Sequence, residues 1–197
     1  FGAMVLGWPA PLMVAQILWI HLICDGPSDI VLGFEPKEEG IMDEMPKPIH
    51  EPVLNRLGLS LIGVISITST LVALVFFGHY YTLHHNPIEG RSYAFASFAV
   101  NSMIYIFAYR SMRRSIFHSG SLSRNKPLVV AVLAGLLLAI GAFLVPPIRN
   151  LLGIVPLSLQ QWGVVFGVAL LLIAVVEIGK LLSRRLHNPQ VVRMPPG

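Results

Sequence analysis

Five stretches of this chain are apolar over the roughly 17 to 25 residues that an α-helix needs to cross a bilayer. They are Leu12–Leu32, Leu57–Phe77, Tyr93–Tyr109, Leu128–Val145 and Trp162–Ile178. Only helices and closed barrels satisfy every backbone polar group in hydrocarbon, and runs of this length are helical. No soluble fold accommodates five of them. Charged residues make up 12% of the chain, about half of what a soluble domain carries. The expected fold class is therefore an all-α membrane protein, a bundle of about five transmembrane helices. The second and fourth runs carry no charge. Ser97, Asn101 and Ser102 make the third the least apolar, so its lateral faces are expected in protein rather than lipid.

Lysine and arginine in the connections set the orientation. Lys37, Lys47 and Arg56 follow the first run; Arg110, Arg113, Arg114, Arg124 and Lys126 follow the third; Lys180, Arg184, Arg185 and Arg193 end the chain. Only Arg91 and Arg149 lie on the other side. These three segments are expected to face the cytoplasm, which puts Trp8, Tyr80, Tyr81 and Trp162 at the outer interface. The basic residues lie between apolar runs and form no stripe, so nucleic acid is not an expected partner; membrane lipid is. One long connection, Gly33–Asn55, holds Pro36, Pro46, Pro48 and Pro52 and reads as an extended cytoplasmic proline-rich loop. The run Gly78–Asn86, with His79, His84 and His85, reads as a polar outer loop. A single cysteine rules out an intrachain disulfide. The chain opens at Phe1 without Met or a signal-peptide pattern, and reads as the tail of a longer protein.

The first run concentrates the chemistry. Asp25 stands inside it, where a carboxylate is costly and by default marks an ion or proton site. His21, Cys24 and Asp25 fall at i, i+3 and i+4, one face of a helix, and Gly26-Pro27 is expected to break the helix there. Broken membrane helices with polar groups at the break are a common way to build ion sites. His21, Cys24 and Asp25 are accordingly the candidate metal ligands. The competing readings are a helix-capping acceptor for Asp25, a neutral buried imidazole for His21 and a small packing residue for Cys24. Asp29, one turn on, reads as a solvated helix-end carboxylate. No catalytic residue and no bound cofactor site is visible.

Several fixed spacings over about forty residues carry a resemblance. Gln16-Ile17-Leu18-Trp19, Asp25-Gly26, Leu32-Gly33-Phe34-Glu35-Pro36, Ile41-Met42, Pro46, Pro48 and Glu51-Pro52-Val53-Leu54 resemble the C-terminal membrane region of the P-type cation ATPases, the type II calcium-pump-like group. Tyr109-Arg110-Ser111, Arg113-Arg114-Ser115-Ile116-Phe117, Val145-Pro146-Pro147 and Val155-Pro156-Leu157-Ser158 are similar to its later turns. The resemblance implies that residues 1–197 form the C-terminal transmembrane domain, helices six to ten, of an ATP-driven cation pump in the cell membrane. It further implies that the partners are the pump's N-terminal helices and cytoplasmic domains. ATP and Mg would act only through those domains, since no Asp-Lys-Thr-Gly-Thr or Thr-Gly-Glu motif occurs here and this segment alone would not be catalytic. The family's ligands in this helix are Asn, Thr and Asp, where this chain has His21, Cys24 and Asp25; Ser102 stands where some members have Glu or Gln. Calcium prefers hard oxygen, while imidazole and thiolate suit transition metals, so the expected cargo is a divalent cation, calcium or a transition metal. A secondary ion transporter and a non-catalytic membrane scaffold are the alternatives; an inverted repeat would favour the former, and none is visible.

Overall fold

The computed structural model describes residues 2–35, 56–109 and 125–186. Most of the proline-rich loop, the arginine run at 110–114 and the tail from residue 187 lie outside the described residues. Within them every element is helical: α1 (Gly2–Val5), α2 (Val14–Leu18), a π-helical segment (Trp19–Asp25), α3 (Gly26–Leu32), α4 (Arg56–His84), α5 (Pro87–Tyr109), α6 (Lys126–Leu144), α7 (Pro146–Leu152) and α8 (Leu159–Leu186). This is the all-α membrane bundle expected. Gly58–Leu83, Lys126–Leu144 and Leu159–Gly179 are each long and apolar enough to cross a membrane on their own. The remaining two long runs are α2 through α3, and α5.

The first run departs from expectation. Gly26-Pro27 does not interrupt it; α2, the π segment and α3 follow one another without a gap. Proline lacks an N–H, and in a regular α-helix its ring collides with the carbonyl four residues back. Widening the preceding turns to π geometry relieves that collision, and the Gly26 N–H bonds the His21 carbonyl, five residues back. Ser28 Oγ then donates to the Asp25 carbonyl at 2.8 Å. At its start the run is held by Gln16, fully buried. Its Oε1 accepts the Met13 N–H at 2.9 Å, and its amide donates to the Leu152 carbonyl at 2.9 Å.

A second correction concerns Gly78–Asn86. Residues 78–84 continue α4, and the connection shrinks to His85-Asn86. Polar residues do not break a helix, and Thr82 Oγ bonds back to the Gly78 carbonyl at 2.7 Å. The turn takes His85 to φ 49°, and Asn86 Oδ1 accepts the Ile88 N–H at 3.0 Å to start α5, with Pro87 at its first position, where a missing N–H costs nothing.

α5 is the centre of the bundle, packed against α4, α6, α8 and the first run. Tyr93 through Ser97, and Ala99 to Asn101, are buried, so its polar residues meet protein, as its composition suggests. Gly90 lets α4 come close: a Cβ there would lie 2.9 Å from the Phe77 carbonyl oxygen. The outer faces are apolar instead, with Ile67, Leu71, Val75, Leu133, Leu137, Leu170 and Leu171 exposed. At the end where α4 and α6 finish and α5 and α8 begin, Trp8 packs on Tyr81, Tyr80 stacks on Tyr93 at 3.9 Å, and Trp162 meets Phe143 edge-on at 5.1 Å.

Candidate cation site

The π geometry decides which of the three predicted side chains meet. An i→i+5 helix turns less per residue than an α-helix, so the face that i, i+3 and i+4 would share in an α-helix is pulled apart. His21 and Asp25 stay together: Nδ1 lies 3.3 Å from Oδ2, with the imidazole 73% exposed and the Asp25 side chain 14% exposed. Cys24 is turned away. Its side chain is fully buried in the core shared with Met103 and Val132. Among the described residues no three His, Cys, Asp or Glu side chains converge as a metal site.

Asp25 opens instead onto a cavity of about 350 Å³ between the first run, α4 and α5. Its second oxygen, Oδ1, is buried without a hydrogen-bond partner. Ser28 and Asp29 join it from α3, Ser66, Ser69 and Thr70 from α4, and Asn101, Ser102 and Tyr105 from α5. Tyr105 is 4% exposed and its hydroxyl also has no partner. Among the described residues no lysine or arginine lines this space. Its polar groups there are mainly oxygen donors, from carboxyl, hydroxyl, phenol and amide groups, with the Asn101 amide nitrogen and the Met103 thioether beside them. Asp25 and Asp29, at i and i+4, bring two carboxyl groups to one side of it. A buried charge is costly unless paired; His21 beside Asp25 is a partner when protonated, and the oxygen groups around the cavity are of the kind that hard cations take.

Several of these residues escaped the sequence argument. Asp29, taken as a solvated helix end, is exposed yet lines the cavity. Ser66, Ser69 and Thr70 sit at i, i+3 and i+4 of an otherwise apolar span, and that spacing was the available signal. Ser102 was marked by its position alone.

Residues 9–182 match the family described as "Cation transporting ATPase, C-terminus". The chain belongs to this family. "Calcium-transporting ATPase 1" of Bacillus cereus is 30% identical over 93% of the chain and 22% of its own length. "Calcium-transporting ATPase" of Bacillus subtilis is 29% identical over 93% of the chain and 20% of its own length. "Calcium-transporting ATPase type 2C member 2" of Homo sapiens is 26% identical over 98% of the chain and 20% of its own length. The chain thus spans about a fifth of the length of these curated relatives. As a C-terminal region of a cation-transporting ATPase it is an integral membrane segment, and its cavity lies in the part of such pumps that the family describes.

Proposed function

We propose that this chain is part of the transport domain of an ATP-driven calcium pump of the cell membrane, with Asp25 as the charged ligand of the transported ion. The observation that carries this is the half-buried Asp25 carboxylate, one oxygen unpartnered, in a cavity lined mainly by oxygen groups and, among the described residues, by no lysine or arginine. Asp29, Ser102, Asn101 and Tyr105 would complete the coordination together with helices contributed by the rest of the pump. The oxygen donors favour calcium over a transition metal, in keeping with the names of the relatives. His21 is a ligand candidate at the edge of the cavity. Cys24 remains one only if the π segment turns, and its buried position suits packing.

In the mechanism the resemblance implies, phosphorylation of an aspartate in the cytoplasmic domains switches the site between inward and outward access. The loop at 33–55 would face those domains and help couple them to the helices. ATP and Mg belong to the domains, and lipid covers the exposed leucines and valines. Membership in the cation-transporting ATPases weighs against a secondary transporter, and the cavity at Asp25 weighs against a scaffold without transport.

Asp25→Asn in the full-length pump tests this. The variant should reach the membrane in normal amount and lose calcium-stimulated phosphorylation from ATP. Phosphorylation at the usual calcium concentration in that variant would remove Asp25 from the site.

A further inference from the structure

We propose that Gly135 is a positioning residue for the cation site, holding the π segment so that Asp25 faces the cavity; this rests on the pump reading above. Two glycines of α6 behave differently. A Cβ at Gly141 would meet nothing within 4 Å, whereas one at Gly135 would overlap the Met103 sulfur and approach the Cys24 carbonyl oxygen to 3.1 Å. At this point the backbone of α6 therefore lies directly against the π segment, one residue before Asp25.

The consequence follows from peptide geometry. The Cys24 carbonyl and the Asp25 N–H belong to one planar unit that does not bend. Pressure on that oxygen is passed to the Asp25 backbone, and from there to its carboxylate. Met103, the other neighbour, is fully buried and lines the same cavity from α5. A single added methyl group thus meets the site from behind through two of its walls. Glycine is among the poorest helix formers and alanine the best, so Gly135→Ala favours α6 itself. A loss of function in that variant cannot come from helix propensity.

The test uses the full-length pump in proteoliposomes, with calcium as the titrant and ATP hydrolysis per folded molecule as the readout. Gly135→Ala should raise the half-activating calcium concentration about fourfold, because a misplacement of about 1 Å costs on the order of a hundredfold and a shift of about 0.3 Å is that fraction of two powers of ten. The maximal rate should change far less. A merely structural role would lower the amount of folded pump and its maximal rate while leaving half-activation in place. Gly141→Ala on the same helix should not move half-activation. The double variant Gly135→Ala with Met103→Ala removes the side-chain overlap but keeps the contact with the Cys24 carbonyl, so the shift should persist. Should Gly135→Ala alone fail to accumulate in the membrane, the double variant carries the same test. Unchanged half-activation in Gly135→Ala, an equal shift in Gly141→Ala, or restoration in the double variant would each overturn the proposal. Asp25→Asn in the same titration separates the two ideas. If Asp25→Asn loses calcium activation while Gly135→Ala behaves normally, only this inference fails; if Asp25→Asn is normal, the pump site itself is misplaced.

Discussion

Asn125 joins the end of α3 to the start of α6 through one side chain. Its Oδ1 accepts the Leu128 N–H at 3.0 Å, capping α6, and its Nδ2 donates to Glu35 Oε2 at 2.7 Å. Glu35 lies just past α3, so this contact fixes the end of α3 to the start of α6. Asn125 is 4% exposed, and Asn125→Ala would leave a buried helix N–H unpaired. Loss of a cap costs about 1 kcal/mol, and loss of a hydrogen bond to a charged group costs roughly 1.5–3 kcal/mol. The sum is about 3 kcal/mol. Asn125→Asp separates the two parts, since it keeps an oxygen for the Leu128 N–H and faces Glu35 with a like charge. The measurement is thermal unfolding of the detergent-solubilised full-length pump, or of whichever C-terminal unit unfolds cooperatively. Asn125→Ala and Asn125→Asp should both lower the midpoint, and Asn125→Asp should recover in the background of Glu35→Gln, where the repulsion is gone. If Asn125→Asp matched the native midpoint with Glu35 present, the bridge to Glu35 would contribute nothing and the reasoning would fail.

Two smaller effects follow from burial. The His21 imidazole is 73% exposed, and a pair so open to water is worth about 0–1 kcal/mol; His21→Ala should therefore move calcium half-activation by no more than about fivefold, and a hundredfold change would make His21 a principal ligand. Cys24 is fully buried in the core, so Cys24→Ala should lower stability by about 1 kcal/mol, the scale of a small core truncation, without altering the preference for calcium over zinc. A change in that preference would restore the thiol to the ligand set.

The helices were legible because their signal is simple. A run such as Leu128–Val145 has no charge and no alternative in a bilayer, and the structure ends it within two residues of the expected boundaries. Boundaries failed where polarity was mistaken for a loop. Gly78-His79-Tyr80-Tyr81-Thr82 is hydrophilic enough to sit at an interface, yet nothing in it stops a helix, and α4 runs on to His84. α5 shows the converse. Pro87 and Glu89 lie outside its apolar run, but proline is at home in a first turn, so the helix begins six residues before Tyr93.

The site was half legible for a related reason. Asp25 stands out in any reading, because a carboxylate in a span has to be explained by something. Which residues stand beside it depended on assuming 3.6 residues per turn, and among the described residues the assumption fails in this segment. Pro27 forces the preceding turns wider, and the wider turn carries the thiol of Cys24 into the core while the carboxylate keeps to the cavity. The groups about Asp25 change with it: the imidazole stays beside it, while in place of the thiol stand mainly oxygen groups spread over three helices. Ser69 and Tyr105 enter that set only through the packing of α4 on α5, which no spacing within one helix reveals. Ligand softness read from one stretch of sequence leaves calcium and a transition metal both open, whereas the groups that line the assembled cavity are mainly oxygen. The deciding step is thus a backbone event at a proline rather than the identity of any ligand.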